Sequence, residues 1–162
     1  MTLRYLQPKQ KLYGFTLPNS DPLRTDQAAT VLDVCGQSIH NLVFAEELAG
    51  MNIAPGSQIA SWRIARASLV DFIERRTTGP LDEIDFQALE APHSLALPDG
   101  RLLRVSQVAG FMHCSGQHVI DLIQTLDLSA TNVGLSESGR ATYRIPRAGL
   151  IHFINTRTEG AL

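Results

Sequence analysis

The sequence predicts a mainly helical α+β fold built from two copies of one small domain. The observation behind this prediction is an internal repeat, in which the residue pattern of the first half of the 162-residue chain returns about 80 positions later. Two sets of residues recur, the first after 80 positions and the second after 81: Gln27, Ala29, Gly36, Gln37, Leu42 and Leu48, and then Arg63, Ile64, Arg66, Leu69, Phe72, Ile73 and Arg76. The change of offset indicates one inserted residue between the two sets, for which a surface turn is the natural place.

The composition is that of a globular protein, with 44% hydrophobic and 19% charged residues. Neither a long apolar run nor a signal-peptide pattern is present, so we expect a cytoplasmic protein without a membrane partner. The formal net charge of -2 divides into +1 for residues 1–80 and −3 for residues 81–162. Nucleic-acid binding would therefore have to rest on a local basic patch. Cys35 and Cys114 are too sparse for a disulfide framework and are expected to be buried thiols.

Each copy starts with a leader and a first helix. The leaders, residues 12–17 and 94–97, have the alternation typical of a short strand. A helix of about two turns then begins near Thr25 and near Ser106, with apolar residues at helical spacing.

A tight break separates this helix from a second one. The break ends in Gly36 or Gly116, where a backbone turn can adopt a positive φ without steric cost. The second helix begins at Gln37 and at Gln117, and its apolar residues at i, i+3 and i+4 form one buried stripe. The rest of its surface is expected to face outward.

A β-hairpin and a closing helix complete each copy. Residues 59–65 and 141–146 alternate in polarity after a turn-rich stretch, which predicts a strand of a hairpin. Apolar residues at helical spacing predict closing helices at 66–76 and 147–157.

An acidic, turn-containing segment joins the two copies. It spans residues 79–93 and is typical of a solvated linker. The expected domains are therefore residues 1–78 and 94–162.

Helix, tight turn, helix, hairpin and closing helix is the element order of a winged helix-turn-helix. The segment SWRIARASLVDFI (61–73) and its echo TYRIPRAGLIHFI (142–154) resemble the aromatic-Arg-Ile-x-Arg-x-x-Leu-x-x-Phe signature of the excisionase and MerR-like family. The resemblance covers about residues 22–77 and 102–158. It implies two tandem winged helix-turn-helix domains, whose second helices enter the major groove of DNA while the hairpin wings touch the backbone or minor groove.

Carried over by position, the resemblance implies a set of DNA-contacting residues. The base-facing candidates are Gln37, Ser38, His40 and Asn41 in the first copy and Gln117, His118 and Asp121 in the second. The candidates for wing and backbone contacts are Arg63, Arg66, Arg140, Arg144 and Arg147. Amide side chains can pair bidentately with adenine, and a helix N-terminus favours phosphate.

The expected function is sequence-specific binding of double-stranded DNA by two covalently linked half-site readers. Family members act as transcription regulators or as excisionase-like recombination factors. The chain has no P-loop, dinucleotide fingerprint or catalytic Ser-His-Asp spacing, so we expect neither an enzyme nor a cofactor. His113, Cys114 and His118 lie close together, but the first copy has Asp33, Val34 and Ser38 at the equivalent places. A zinc site needs four ligands and no compact second cluster supplies the remainder, so we expect no metal site.

An alternative reading is a non-enzymatic protein-interaction module that keeps the fold without DNA binding. The second helices contain no Lys or Arg, and Phe44 and Ile120 lie near their outward faces, which suits a protein partner. Arg63 and Arg144 could instead brace the hairpins against an acidic side chain. The sequence leaves the oligomeric state open.

Overall fold

The computed structural model of the protein describes residues 12–56, 58–82, 84, 86, 95–135 and 141–158. These residues form a mixed α+β structure with six helices and two small antiparallel sheets. We call residues 12–78 repeat one and residues 95–158 repeat two. Within the described ranges, no helix combines the length and the apolar composition that crossing a bilayer requires.

The two repeats contain the same elements in the same order, except that repeat one ends in an additional strand. Repeat one consists of β1 (Leu23–Arg24), α1 (Thr25–Leu32), α2 (Gly36–Phe44), β2 (Gly50–Asn52), β3 (Trp62–Ile64), α3 (Arg66–Arg76) and β4 (Thr77–Thr78). Repeat two consists of β5 (Leu102–Arg104), α4 (Val105–Met112), α5 (Gly116–Gln124), β6 (Ala130–Asn132), β7 (Tyr143–Pro146) and α6 (Arg147–Arg157). We call β2–β3 hairpin one and β6–β7 hairpin two.

The expected leader strands are wrong. Residues 12–17 and 95–97 carry no strand, and the first strand of each repeat comes later, directly before the first helix. Tyr13 and Gly14 both have positive φ, 46° and 89°, so the chain turns where the alternation predicted an extended run. Buried side chains in this segment, among them Phe15 and Leu17, pack into the core without strand pairing.

The turn between the first two helices of each repeat does not use glycine in the expected way. The left-handed residues are Asp33 (φ 54°) and His113 (φ 52°), while Gly36 and Gly116 begin the following helices. Asp and His tolerate this conformation better than most side chains. Their placement ends each first helix with a C-cap in which the next residue's N–H bonds back to the helix, as Val34 does to the Ala29 carbonyl at 3.0 Å.

Repeated polar residues hold the repeated turns. The side-chain oxygen of Gln27 accepts the Arg24 N–H at 2.9 Å, and Gln107 accepts the Arg104 N–H at the same distance. This bond satisfies an amide near each helix start and explains why these glutamines recur.

One asparagine closes each hairpin. Asn52 Oδ1 accepts the N–H groups of Ala54 and Ser61 at 3.1 Å, and Asn132 Oδ1 accepts those of Gly134 at 3.0 Å and Thr142 at 3.1 Å. The bridged residues are 9 apart in hairpin one and 10 apart in hairpin two, so the inserted residue lies inside hairpin two.

The two repeats are docked on each other. Sheet one has the order β1-β3-β2, and sheet two has the order β4-β6-β7-β5, so repeat two's sheet includes the last strand of repeat one. The buried hydroxyls of Thr77 and Thr131 lie 2.6 Å apart across that junction. Val133 of hairpin two is 2% exposed and belongs to the core of repeat one. The segment expected as a free linker therefore starts from a strand held by repeat two.

Candidate nucleic-acid interface

Helix α2 carries a neutral amide pair where α5 carries a charged one. The Gln37 amide donates to Asn41 Oδ1 at 3.0 Å, and the Gln117 amide donates to Asp121 Oδ1 at 2.9 Å. Gln37, Gln117 and Asp121 are exposed. The carboxylate on α5 repels phosphate, whereas the amides on α2 carry no charge.

One side of α2 faces hairpin two of the same chain. A pocket of about 290 Å³ lies between the repeats. Its walls are Val34, Ser38, Asn41 and Leu42 from repeat one and Val133, Gly134, Leu135 and Thr142 from repeat two. Two expected base-facing residues, Ser38 and Asn41, thus point toward a protein surface. An internal repeat in a sequence predicts two similar domains, but it does not predict how the two domains contact each other.

The other side of α2 borders an open groove of about 590 Å³, which we call the repeat-one groove. Its lining includes Arg24, Thr25, His40, Ser61, Trp62 and Arg63. Arg24 pairs with Asp26 at 3.1 Å, with both side chains well exposed. Such a pair is weak and easily exchanged.

Among the described residues, the side-chain hydrogen bonds of Arg63 are all made through one guanidinium nitrogen. Its Nη1 donates to the Trp62 carbonyl at 3.0 Å and to Ser61 Oγ at 3.2 Å. Within the described part of the chain, no acceptor lies on its Nε or Nη2 and no carboxylate pairs with it. Two guanidinium nitrogens are therefore available to an anion in the groove.

The equivalent Arg144 is not available. Its Nη1 donates to the Tyr143 carbonyl at 3.1 Å, as in Arg63, but its Nε and Nη2 donate to the Asp33 carbonyl of repeat one. The Asp33 carboxylate lies 3.4 Å from Arg144 Nε, and Arg144 is 7% exposed. Burial lowers the pKa of Arg144, opposed by the Asp33 carboxylate. While the repeats stay docked, Arg144 cannot reach a DNA phosphate as the resemblance implies.

Arg66 and Arg147 brace the leaders. Arg66 Nε donates to the Pro18 carbonyl at 3.1 Å, and Arg147 Nε donates to the Pro98 carbonyl at 3.3 Å. Both side chains are half-buried. This shared contact gives a structural reason for an arginine at the start of each closing helix, where the helix dipole alone disfavours one. Arg140 lies outside the described residues.

Two apolar residues were expected on the outward faces of the second helices, Phe44 on α2 and Ile120 on α5, and only the first is exposed. Phe44 is 69% exposed and lies edge-on to Trp62, with ring centroids 5.8 Å apart, while Ile120 is half-buried. The other large exposed apolar side chains in the described ranges are Met51, Ile53, Ile59 and Leu126. Three of these belong to the hairpin-one region, which the helical periodicity of α2 could not reveal.

Cys35 and Cys114 are free thiols, and neither is buried as expected, since Cys35 is exposed and Cys114 is half-buried. Its sulfur lies 3.3 Å from Ser38 Oγ, and this hydrogen bond lowers the pKa of Cys35. Among the described side chains, no group of three or more His, Cys, Asp and Glu is placed to hold a metal ion. Comparisons of the chain with protein-family models, curated proteins and solved structures found no match.

Proposed function

We propose that the protein is a winged helix-turn-helix protein that binds duplex DNA through repeat one alone. In this proposal it acts as a transcription regulator or an excisionase-like recombination factor. The observation that carries the proposal is the repeat-one groove, which is open and lies beside the exposed amide of Gln37. In repeat two the corresponding arginine is buried against repeat one, so a second reading face is not offered.

The chemistry of this face suits a duplex in two ways. Arg24 and Arg63 can each neutralise a phosphate at the groove, while Gln37 and His40 on α2 supply hydrogen-bonding groups for base edges. Asn41 lies at the border, bonded to Gln37 but lining the pocket between the repeats. Base reading is therefore assigned first to Gln37 and His40.

Binding through repeat one alone determines the expected extent of the DNA site and the salt dependence of the affinity. A single recognition helix reads one half-site in one major groove, whereas two linked readers need half-sites roughly 10 base pairs apart. Two neutralised phosphates give a slope of log affinity against log salt of roughly −2. This slope is about half of that expected for two linked half-site readers that each neutralise two phosphates.

The test is a titration of fluorescently labelled random duplex followed by anisotropy, at low and at moderate salt. Arg63→Ala should weaken binding and make the salt slope shallower by about one. Arg101→Ala is the matched control, because Arg101 is exposed and lines neither pocket. Absence of binding by the wild-type protein at the lowest salt would overturn the proposal, and equal effects of the two substitutions would overturn the groove assignment.

A protein-interaction module is the second candidate. It is favoured by the exposed apolar side chains Phe44, Met51, Ile53 and Ile59 around hairpin one. In this case Phe44→Asp would reduce association with a protein partner, and duplex binding would be absent even at low salt.

A further inference from the structure

We propose that the repeat-one groove docks the aspartate-capped C-terminal end of a helix from a partner protein. This inference goes beyond DNA binding and does not depend on it. It rests on a contact that the chain makes with itself, because repeat two already holds such a helix end from repeat one.

The internal contact defines the ligand. Helix α1 ends at Asp33, whose left-handed backbone turns both its carbonyl and its carboxylate toward repeat two. The carboxylate lies 3.3 Å from Arg104 Nε and 3.4 Å from Arg144 Nε, and the carbonyl accepts from Nε and Nη2 of Arg144. Val34, which follows, lines the pocket against hairpin two. The bound unit is thus a left-handed aspartate followed by an apolar residue.

The repeat-one groove has the same arrangement of arginines as the site on repeat two that holds Asp33. Arg24 stands where Arg104 stands, directly before the first helix, and Arg63 stands where Arg144 stands in the hairpin. Each hairpin arginine is fixed by the same bond from Nη1 to the preceding carbonyl. Arg63 Nε and Nη2, whose counterparts in Arg144 bind the Asp33 carbonyl, have no acceptor within the described residues. The groove is therefore set in advance for a second aspartate-capped end.

The apolar surroundings match as well. Val133 is 2% exposed because repeat one covers it, whereas its equivalent Ile53 is 47% exposed. Leu42, on the side that receives hairpin two, is 1% exposed, and its equivalent Leu122 is half-buried. Hairpin one thus presents the apolar residue that a partner would cover.

The occupant that we infer is another protein, because a second copy of this chain lacks the carboxylate at the equivalent position. The position equivalent to Asp33 is His113, which has the same left-handed backbone but no carboxylate. A copy docked head to tail would place an imidazole between two guanidinium groups. Among the described residues that line the groove, Asp26 is the only acidic one, and its exposed pair with Arg24 is too weak to exclude a carboxylate that also binds Arg63.

The experiment introduces a carboxylate at position 113, where repeat two has a histidine in place of the Asp33 of repeat one. His113→Asp restores an aspartate at a left-handed position that Asp already occupies in repeat one, so the fold should tolerate it. We expect this variant to associate head to tail, with an association constant at least 10-fold above that of wild type in sedimentation equilibrium up to about 100 μM, a range suited to contacts of modest free energy. His113→Asn is the matched control for size without charge. His113→Asp combined with Arg63→Met should return to the wild-type state.

Three results would overturn the inference. The His113→Asp variant could remain as monomeric as wild type while its circular dichroism stays native. Arg63→Met could leave its association intact, which would move the contact elsewhere. Wild type could associate as strongly as the variant, which would make a second copy the occupant. The duplex titration of wild type is independent of these results, so failure of DNA binding and failure of helix-end docking are distinguishable.

Discussion

Arg63 and Arg144 are equivalent in sequence, yet their replacement should affect stability very differently. Methionine in place of either arginine keeps most of the aliphatic stem and removes the guanidinium. Arg144→Met loses the bonds to the Asp33 carbonyl and the ion pair with its carboxylate, whereas Arg63→Met loses bonds only within hairpin one.

The expected difference follows from those contacts. Hydrogen bonds that involve a charged group contribute about 1.5 to 3 kcal/mol. The Asp33 side chain is 47% exposed, so water can replace part of the interaction and the ion pair itself adds little. We therefore expect Arg144→Met to lower the free energy of unfolding by about 2 kcal/mol more than Arg63→Met, which itself should cost under about 1 kcal/mol.

Urea denaturation followed by far-UV circular dichroism, together with the fluorescence of Trp62, measures both variants. Trp62 is the one tryptophan of the chain and belongs to hairpin one. A difference of about 2 kcal/mol corresponds to about 4 to 8 °C in Tm for a chain of this size. If the two variants lose equal stability, Arg144 does not hold the repeats together. The contact between Arg144 and Asp33 could then no longer serve as a model for binding at the repeat-one groove.

Three further predictions concern other parts of the structure. Iodoacetamide at mildly alkaline pH should modify Cys35 before Cys114, because Cys35 is exposed and its pKa is lowered; peptide mass spectrometry would count against this if Cys114 reacts first. Leu126→Gly should stabilise the protein by about 0.5 to 1 kcal/mol by relieving a φ of 64° at an exposed side chain, and a decrease in Tm would contradict it. Gly79→Ala should destabilise by about 2 kcal/mol or more, since the new Cβ would lie 2.6 Å from Ser129 Cα at a φ of 115°; an unchanged Tm would show that the junction gives way freely.

The helices were predictable because each depends on local periodicity. The closing helices were expected at 66–76 and 147–157, and those are their bounds in the structure. The leaders were not predictable, because alternation over a few residues also fits a chain that turns at Tyr13 and Gly14 while burying Phe15. A strand needs a partner edge, and short-range patterning cannot show whether one is present.

For the candidate nucleic-acid interface, the sequence predicted which residue types recur but not which of them the docking of the repeats would cover. Position in the repeat indicated that Arg63 and Arg144 play the same part, and locally they do, since each Nη1 caps the carbonyl before it. The docking of the repeats then separates them through Asp33, a residue whose long-range role has no local sequence signal. Asn52 and Asn132 were missed although they recur at an offset of 80, because an asparagine in a turn has many uses.

The recurrence of an arginine at positions 63 and 144 therefore does not show that both side chains are exposed to a ligand. Arginine is kept at both hairpin positions because the local fold uses one guanidinium nitrogen in each, and this would hold whether or not the protein touches DNA. What distinguishes the two is the remaining face of the guanidinium, which in Arg144 holds Asp33 and in Arg63 is directed to no acceptor in the described part of the chain. With histidine at 113 in place of aspartate, an identical chain could not repeat this contact with the same charge pairing. Of these two arginines, Arg63 is the one whose Nε and Nη2 would meet an approaching phosphate or foreign carboxylate without first leaving an acceptor among the described residues.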